Sequence, residues 1–282
     1  MIYYALYKAG QWVVLRLPLN LSYALAVLIS DFHYIFADKD RLYTKGNLKA
    51  IFPEKPNAEI RRIRRAMFRN FAKYLVDFFR FPIIDEAYVR QYITVENRHY
   101  LTEAASRKKG VILLTAHLGN WELGGLVLGA LGYRIWAVAL PHKNTKVNEF
   151  FNTRRESKGV HVIEFGKAAR MCLNLLKEQK MVALVGDRDF TRDAGTVVEL
   201  FGRKTYFPKG PAGFALKTGA VILPGFMIRN ADDTFTLHLE RPIECSTADT
   251  IGSLTERYKA VIERYIRQYP HQWYMFRKFW IE

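Results

Sequence analysis

The sequence predicts an α/β fold in which helices flank a mostly parallel central sheet. From Gly110 onward, short apolar and β-branched runs alternate with helical runs, which is the pattern of βαβ units. The chain has 282 residues, of which 50% are hydrophobic, so it can form one large domain with a sizeable core. Its formal net charge of +16 indicates an anionic partner.

The first 37 residues differ from the rest of the chain. Only Lys8, Arg16 and Asp31 are charged there, and tyrosine and tryptophan are as frequent as at a membrane interface. The uncharged stretch 17–30 contains Pro18 and is shorter than the ~20 apolar residues that cross a bilayer. We expect residues 1–37 to form helices that lie in or on a membrane. A tilted span and a helical hairpin packed on the domain are the alternatives, and residues 38–282 are predicted to form a single α/β domain.

Residues 57–81 are predicted to form one amphipathic helix. Asn57 can cap its start, apolar residues recur at intervals of three and four, and Pro82 ends it. The opposite face is basic and carries Arg61, Arg62, Arg64, Arg65, Arg69 and Lys73. That face is either solvated or in contact with anionic lipid.

The remaining elements alternate along the chain. Strands are predicted at 111–115, 133–140, 161–165, 181–186, 221–228 and 234–240. Helices are predicted at 121–131, 146–158, 168–178, 211–218 and 253–269, and the aromatic tail YPHQWYMFRKFW follows them. Because open parallel sheets bind ligands at the carboxyl ends of their strands, the candidate site residues should follow these strands.

The segment GVILLTAHLGNWELGG carries the clearest chemical signal. A buried strand ends at His117, the turn formers Gly119 and Asn120 follow, and Glu122 comes early in the next helix. An imidazole with a pKa near 6.5 can accept a proton, and a carboxylate on its other nitrogen fixes the tautomer. We therefore expect Glu122 to reach His117 across the turn. The alternative is a strand-end histidine that only bonds to backbone.

The same turn is also a candidate for contact with substrate. Gly119 permits close approach, and backbone amides at the helix start can help an oxyanion.

Other chemistries lack their usual motifs. The sequence has no HExxH, GxSxG, Walker-type or GxGxxG motif, and Cys172 and Cys245 have no zinc-site spacing. A base without a protein nucleophile predicts direct transfer, with no metal and no cofactor. Two other classes stay open at this point: a non-catalytic protein that binds anionic lipid or nucleic acid, and a metal-assisted lipid hydrolase.

Several blocks of residues resemble a known family. HLGNWE at 117–122 is similar to the His-x4-Glu/Asp motif of the lipid A late acyltransferases, the lauroyl and myristoyl transferase family related to glycerolipid acyltransferases. Further blocks agree in order and spacing: KGNLKAIFPE at 45–54, RESKG at 155–159, VGDRDF at 185–190 and ELFGRKTYFPKGPAGFALKTGAVILPGF at 199–226. The tail is similar to the family's Pro-x-Gln-Trp-x-Trp-x-x-Arg-Arg ending, from which it departs at Met275, Phe276, Lys278 and Phe279.

The resemblance implies roles for individual residues. It makes His117 the general base, Glu122 its orienting carboxylate, and Arg155 and Asp187 further active-site residues. An ion pair between Arg155 and Asp187 is the structural alternative. Around these four, the residues expected to contact substrate are Gly119, Asn120, Arg154, Asp189, Lys204 and Lys209, the two lysines as partners of a phosphate.

The implied activity is O-acyl transfer at the cytoplasmic face of a bacterial inner membrane. The donor would be a thioester of acyl carrier protein or coenzyme A, and the acceptor a hydroxyl of an anionic membrane glycolipid, most specifically a lipid A precursor. The resemblance also admits phosphatidylinositol mannosides and aminolipids as acceptors. An acidic carrier protein and an anionic leaflet both fit the positive charge, and nucleic acid is not expected as a partner.

Overall fold

The computed structural model describes residues 2–189 and 195–281 of the chain. Four helices come first: α1 (Ile2–Arg16), α2 (Leu19–Phe36), α3 (Asp38–Ile51) and α4 (Asn57–Arg80). The predicted amphipathic helix is α4, and it ends at a short 3-10 turn that contains Pro82.

The α/β part follows in the predicted alternation. Its helices are α5 (Glu86–Tyr92), α6 (Arg98–Ser106), α7 (Trp121–Ala130), α8 (Thr145–Glu156), α9 (Ala168–Lys177), α10 (Gly210–Thr218) and α11 (Ile251–Gln268). Its strands are β1 (Ile93–Glu96), β2 (Val111–Thr115), β3 (Ile135–Ala139), β4 (Val160–Glu164), β5 (Met181–Val185), β6 (Thr196–Leu200), β7 (Arg203–Phe207), β8 (Val221–Arg229) and β9 (Phe235–Leu239).

Seven of these strands form one sheet in the order β1-β9-β8-β2-β5-β3-β4. Only the β8–β9 pair is antiparallel, so the predicted α/β class with a mostly parallel sheet is confirmed. Apolar side chains cover both faces: Ile112 and Leu114 of β2 face one core cluster, and Val111 and Leu113 face the other. The edge strand β1 and the β6–β7 hairpin are elements that the sequence analysis missed.

Polar contacts fasten α2 to α4. Asp31 forms ion pairs with Arg65 and Arg69, and the Tyr34 hydroxyl accepts a hydrogen bond from Arg64 Nε at 2.8 Å. Lys73 pairs with Asp233 of the β8–β9 loop, so four of the basic residues on α4 are used within the protein. Arg61 and Arg62 are exposed, and the side chains of Arg65 and Arg69 stay about half exposed in their ion pairs. Contact of this face with solvent or anionic lipid therefore stays a prediction.

The outward face of α2 is apolar. Its exposed side chains lie at helical spacing on one stripe and are Leu21, Leu25, Leu28, Ile29, Phe32, Ile35 and Phe36. By length and composition alone, α2 could cross a membrane, and little of it is buried in the protein. α1 and α2 both pack on α4, which gives residues 2–37 a fixed place beside the sheet domain. The predicted division at residue 37 stays a prediction.

Candidate active site

The register of two neighbouring strands brings the central pair of side chains together. β2 and β5 are parallel partners with Thr115 opposite Val185, and His117 and Asp187 each follow two residues later. His117 Nδ1 lies 2.6 Å from Asp187 Oδ1, which also accepts a hydrogen bond from the His117 backbone N–H at 3.1 Å. The indole N–H of Trp273 donates to Asp187 Oδ2 at 3.0 Å. Both oxygens of this fully buried carboxylate are therefore engaged.

These contacts set the protonation of the pair. Burial lowers the pKa of His117 below its usual value, and the nearby Asp187 carboxylate opposes this shift only in part. Burial would by itself raise the pKa of Asp187, but the imidazole and the Trp273 indole hold it at about 2. At neutral pH an anionic Asp187 thus accepts the Nδ1–H of a neutral imidazole, and the Nε2 lone pair is the one that can take a proton.

Glu122 has a different partner from the one predicted. It lies in the first turn of α7, where its carboxylate binds Arg155 of α8 through both oxygens, with an Nε–Oε2 distance of 2.9 Å and an Nη2–Oε1 distance of 2.5 Å. Burial, which would lower the pKa of Arg155, is outweighed by Glu122, which raises it. The predicted His117–Glu122 pairing and the alternative Arg155–Asp187 ion pair are both wrong, since His117 takes Asp187 and Arg155 takes Glu122.

Gly119 and Asn120 form the corner, which is the turn between β2 and α7. Gly119 has a φ of 62°, and a Cβ there would lie 2.0 Å from the carbonyl oxygen of Met227. Its N–H donates to the Gln272 carbonyl at 2.9 Å, and the Asn120 N–H donates to the Met227 carbonyl at 2.8 Å. The side chain of Asn120 is buried and caps α7 by accepting from the Leu123 N–H. The backbone amides of both residues therefore donate within the protein, and the contact of Gly119 and Asn120 with substrate stays a prediction.

Two further predictions are corrected by position. Arg154 is buried on the face of α8 that meets α1, where it donates to the Gln11 side chain and the Phe150 carbonyl. Lys204 lies in the β6–β7 hairpin, where its side chain is exposed and its carbonyl accepts from the Ile281 N–H. Neither side chain lines the cavity beside His117.

That cavity has a volume of about 890 Å³. Five of the residues predicted for the site line it: His117, Glu122, Arg155, Asp189 and Lys209. Most of its remaining wall is apolar, and includes Phe71, Tyr74, Leu75, Trp121, Val138, Leu140, Phe151, Leu184 and Phe214. A polar end with an imidazole, charged groups and a long apolar wall suit a ligand with a polar head and a hydrocarbon chain.

Three basic residues of this wall were not predicted from the sequence: His142, Arg188 and Arg277. Arg188 could have been found, because it stands between Asp187 and Asp189 directly after a predicted strand. Arg277 belongs to the tail, whose approach to the strand ends only the fold reveals.

The residues that line the cavity limit the kinds of reaction that the site can catalyse. Among the described residues that line the cavity, none is serine, threonine or cysteine. Within residues 2–189 and 195–281, no group of three side chains is placed to hold a metal ion. The arrangement presents a base, two carboxylates and several cations to a bound ligand.

The chain is similar to known acyltransferases over most of its length. The family model described as "Bacterial lipid A biosynthesis acyltransferase" matches residues 1–282, and the chain belongs to this family. It is 28% identical over 232 residues to the phosphatidylinositol mannoside acyltransferase of Mycolicibacterium smegmatis, covering 80% of this chain and 75% of the relative. It is 24% identical to the lipid A biosynthesis palmitoleoyltransferase of Escherichia coli K12, covering 93% and 85%. The protein is thus an O-acyltransferase of the lipid A or phosphatidylinositol mannoside type.

The chain also shows a weaker similarity to a solved structure. The 1-acyl-sn-glycerophosphate acyltransferase of Thermotoga maritima shares 16% identity at a TM-score of 0.43, over 91% of this chain and 99% of the other.

The close contact at Gly119 yields a stability prediction. Gly119→Ala should lower the free energy of unfolding by at least about 2 kcal/mol, because the new Cβ meets the Met227 carbonyl and the left-handed backbone strains an L residue. Gly46→Ala in α3 is the matched control. Gly46 is exposed with open space around it, so alanine there should stabilise the helix by about 0.5–1 kcal/mol. Denaturant unfolding measures both, and equal stabilities of the two variants would contradict the account of the corner.

Proposed function

We propose that the protein transfers a fatty acyl chain from a thioester of acyl carrier protein or coenzyme A to a hydroxyl of a membrane glycolipid, with His117 as general base. The observation that carries this proposal is the His117–Asp187 pair at the polar end of a largely apolar cavity. The glycolipid that fits the family best is a lipid A precursor. No cofactor takes part in the proposed reaction.

The proposed reaction is a direct transfer. His117 Nε2 accepts the proton of the acceptor hydroxyl, and Asp187 stabilises the imidazolium that forms. The alkoxide oxygen attacks the thioester carbonyl, and the tetrahedral intermediate collapses to an ester as the thiolate leaves. The imidazolium then returns its proton to that thiolate. Because none of the described lining residues is serine, threonine or cysteine, the proposal contains no acyl-enzyme intermediate.

The cavity walls support an acyl chain as ligand. A smaller cavity of about 70 Å³ shares Trp121, Val138 and Leu184 with the main one. A third, of about 60 Å³, shares Gly125 and Ala183 with the second. These spaces run beneath α7 along the sheet, where an extended hydrocarbon chain would remove apolar surface from water.

The charged residues of the wall support an anionic acceptor. Arg155 keeps its charge while paired with Glu122, and Lys209 lies exposed at the start of α10. We assign Arg155, Lys209 and Asp189 to the polar head of the substrate, with the cations as partners of its phosphate groups.

A second acceptor is favoured by one specific observation. The identity to the phosphatidylinositol mannoside acyltransferase of Mycolicibacterium smegmatis is higher than that to the Escherichia coli lipid A enzyme. Phosphatidylinositol mannosides are therefore the second candidate acceptor, with the same donor, base and order of steps.

The outward stripe of α2 is proposed to lie in the membrane that contains the acceptor. Leu28 and Phe32 are 68% and 66% exposed, and side chains of this kind bind at the boundary between headgroups and acyl chains. The polar contacts of Asp31 and Tyr34 with α4 would hold α2 along the surface and not across the bilayer. Because both thioester donors are made in the cytoplasm, we place the protein at the cytoplasmic face of the inner membrane.

The activity is tested with purified protein in detergent. Wild-type protein should release thiol from an acyl thioester and acylate a lipid A precursor or a phosphatidylinositol mannoside, as detected by mass spectrometry. His117→Ala should lower turnover ~10² to 10⁴-fold, the usual contribution of a positioned base. His99→Ala, which removes an exposed histidine outside the cavity, should retain wild-type turnover. The proposal fails if neither acceptor is acylated by either donor.

The membrane-facing role of α2 is tested separately by vesicle binding. Leu28→Glu with Phe32→Glu should weaken binding to anionic vesicles at least about tenfold, because two apolar side chains leave the lipid boundary. Met171→Glu with Val197→Glu makes the same charge change at exposed apolar residues of α9 and β6 and should bind as wild type. Equal losses in both double variants would show that net charge, and not the α2 stripe, controls binding.

A further inference from the structure

Arg188 is a half-buried cation that stands beside the proposed base. It follows Asp187 at the end of β5 and lines the cavity. Its Nη2 donates to the carbonyl of Tyr274, and the N–H of the same residue donates to the His117 carbonyl at 2.8 Å. The backbone of Tyr274 thus fixes the guanidinium and the imidazole segment relative to each other.

The charge of Arg188 has no carboxylate partner among the described residues. No described carboxylate oxygen lies within ion-pair distance of it, and the adjacent Asp187 uses its oxygens on His117 and Trp273. Burial has the largest effect and lowers the pKa of Arg188, the negative charge of Asp187 opposes this shift, and the positive charge of Arg277 adds to it. The resulting pKa is about 10, so the guanidinium is still charged at neutral pH.

Donors of this guanidinium are left for a ligand. Within residues 2–189 and 195–281, the Tyr274 carbonyl is its hydrogen-bond partner, and neither Nε nor Nη1 donates to a protein group. A half-buried guanidinium with unused donors can form charge-assisted hydrogen bonds to an anionic ligand group. The cavity that Arg188 lines is the place from which such an anion would come.

The proposed reaction creates an anion at this place. The thioester carbonyl must lie within reach of a hydroxyl that touches His117, and its oxygen becomes negative in the tetrahedral intermediate. The backbone amides of Gly119 and Asn120, in the turn before α7, donate to Gln272 and Met227. Arg155 is bound through two nitrogens to Glu122.

We propose that Arg188 is a catalytic residue that stabilises the oxyanion of the tetrahedral intermediate. The inference rests on the proposed acyl transfer. As the acceptor oxygen forms its bond to the carbonyl carbon, the electron pair of the C=O double bond moves to the carbonyl oxygen, which accepts hydrogen bonds from the Arg188 guanidinium. When the C–S bond breaks, that pair returns to re-form the carbonyl, and Arg188 itself is neither protonated nor deprotonated.

The test compares Arg188→Gln and Arg188→Lys with wild-type protein under the same thioester assay. Arg188→Gln should lower kcat ~10² to 10³-fold with KM for donor and acceptor within about twofold, as for loss of an oxyanion donor. Arg188→Lys keeps the charge and should recover part of that loss. Guanidinium ions added to Arg188→Ala should restore activity, since the vacated site opens to the cavity. Arg241→Gln, which removes an exposed arginine outside the cavity, is the control and should act as wild type.

The pH profile separates this role from a structural one. The charges that act on His117 are Asp187, which raises its pKa, and Arg188 and Arg277, which lower it. The rising limb of kcat/KM should therefore move to higher pH in Arg188→Gln and stay in place in Arg188→Lys.

Two results would overturn the inference. A raised KM with unchanged kcat at saturation would make Arg188 an anchor for a substrate phosphate. If the rising limb of kcat/KM does not move in a folded Arg188→Gln variant, the charge of Arg188 is too far from His117 to act on it. If Arg188→Gln does not fold, the other two variants decide. The inference is then overturned if guanidinium ions do not restore activity to Arg188→Ala and Arg188→Lys is inactive. Inactive wild-type protein would instead refute the proposed function, so the two failures are distinguishable.

Discussion

The carboxylate of Asp187 holds three parts of the chain together at the active site. One oxygen accepts hydrogen bonds from the ring and the backbone of His117, at the end of β2. The other accepts from Trp273 of the carboxyl-terminal tail. Asp187 itself is fixed by β5, because Gly186 extends the ladder by donating to the Thr115 carbonyl. The protonation of the base and the position of the tail therefore depend on the same buried group.

A second buried group, Asp77 of α4, stabilises the corner between β2 and α7. It accepts hydrogen bonds from Asn120 at 2.7 Å and from Arg229, and the Tyr23 hydroxyl donates to it as well. Arg229 Nη1 in turn donates to Tyr23 at 3.0 Å, so the start of α7, the sheet and α2 share one network. Buried ionic networks of this kind specify a unique arrangement more than they add stability. Here the network fixes the outer helix α2 relative to the turn that follows His117.

The sequence predicts local structure well because its periodicities are local. The strands at 111–115 and 181–186, the helix at 57–81 and the turn at Gly119 all agree with the structure. The order of strands in the sheet is not a local property, and β2 and β5 are neighbours although the five elements α7, β3, α8, β4 and α9 separate them along the chain. Spacing along the chain therefore led us to predict Glu122 as the partner of His117. In the structure, the register of β2 and β5 places Asp187 next to His117 instead. For the same reason the tail residues Tyr274 and Arg277 were not expected in the site.

The pKa of His117 tests the central claim most directly. Imidazole proton resonances, assigned with His117→Gln, should titrate below 6.5 in wild-type protein because burial lowers the pKa of this ring. Asp187→Asn removes the charge that opposes this shift and should lower the pKa further, whereas Glu122→Gln should leave it unchanged. A His117 pKa that moves in Glu122→Gln and stays constant in Asp187→Asn would contradict the account.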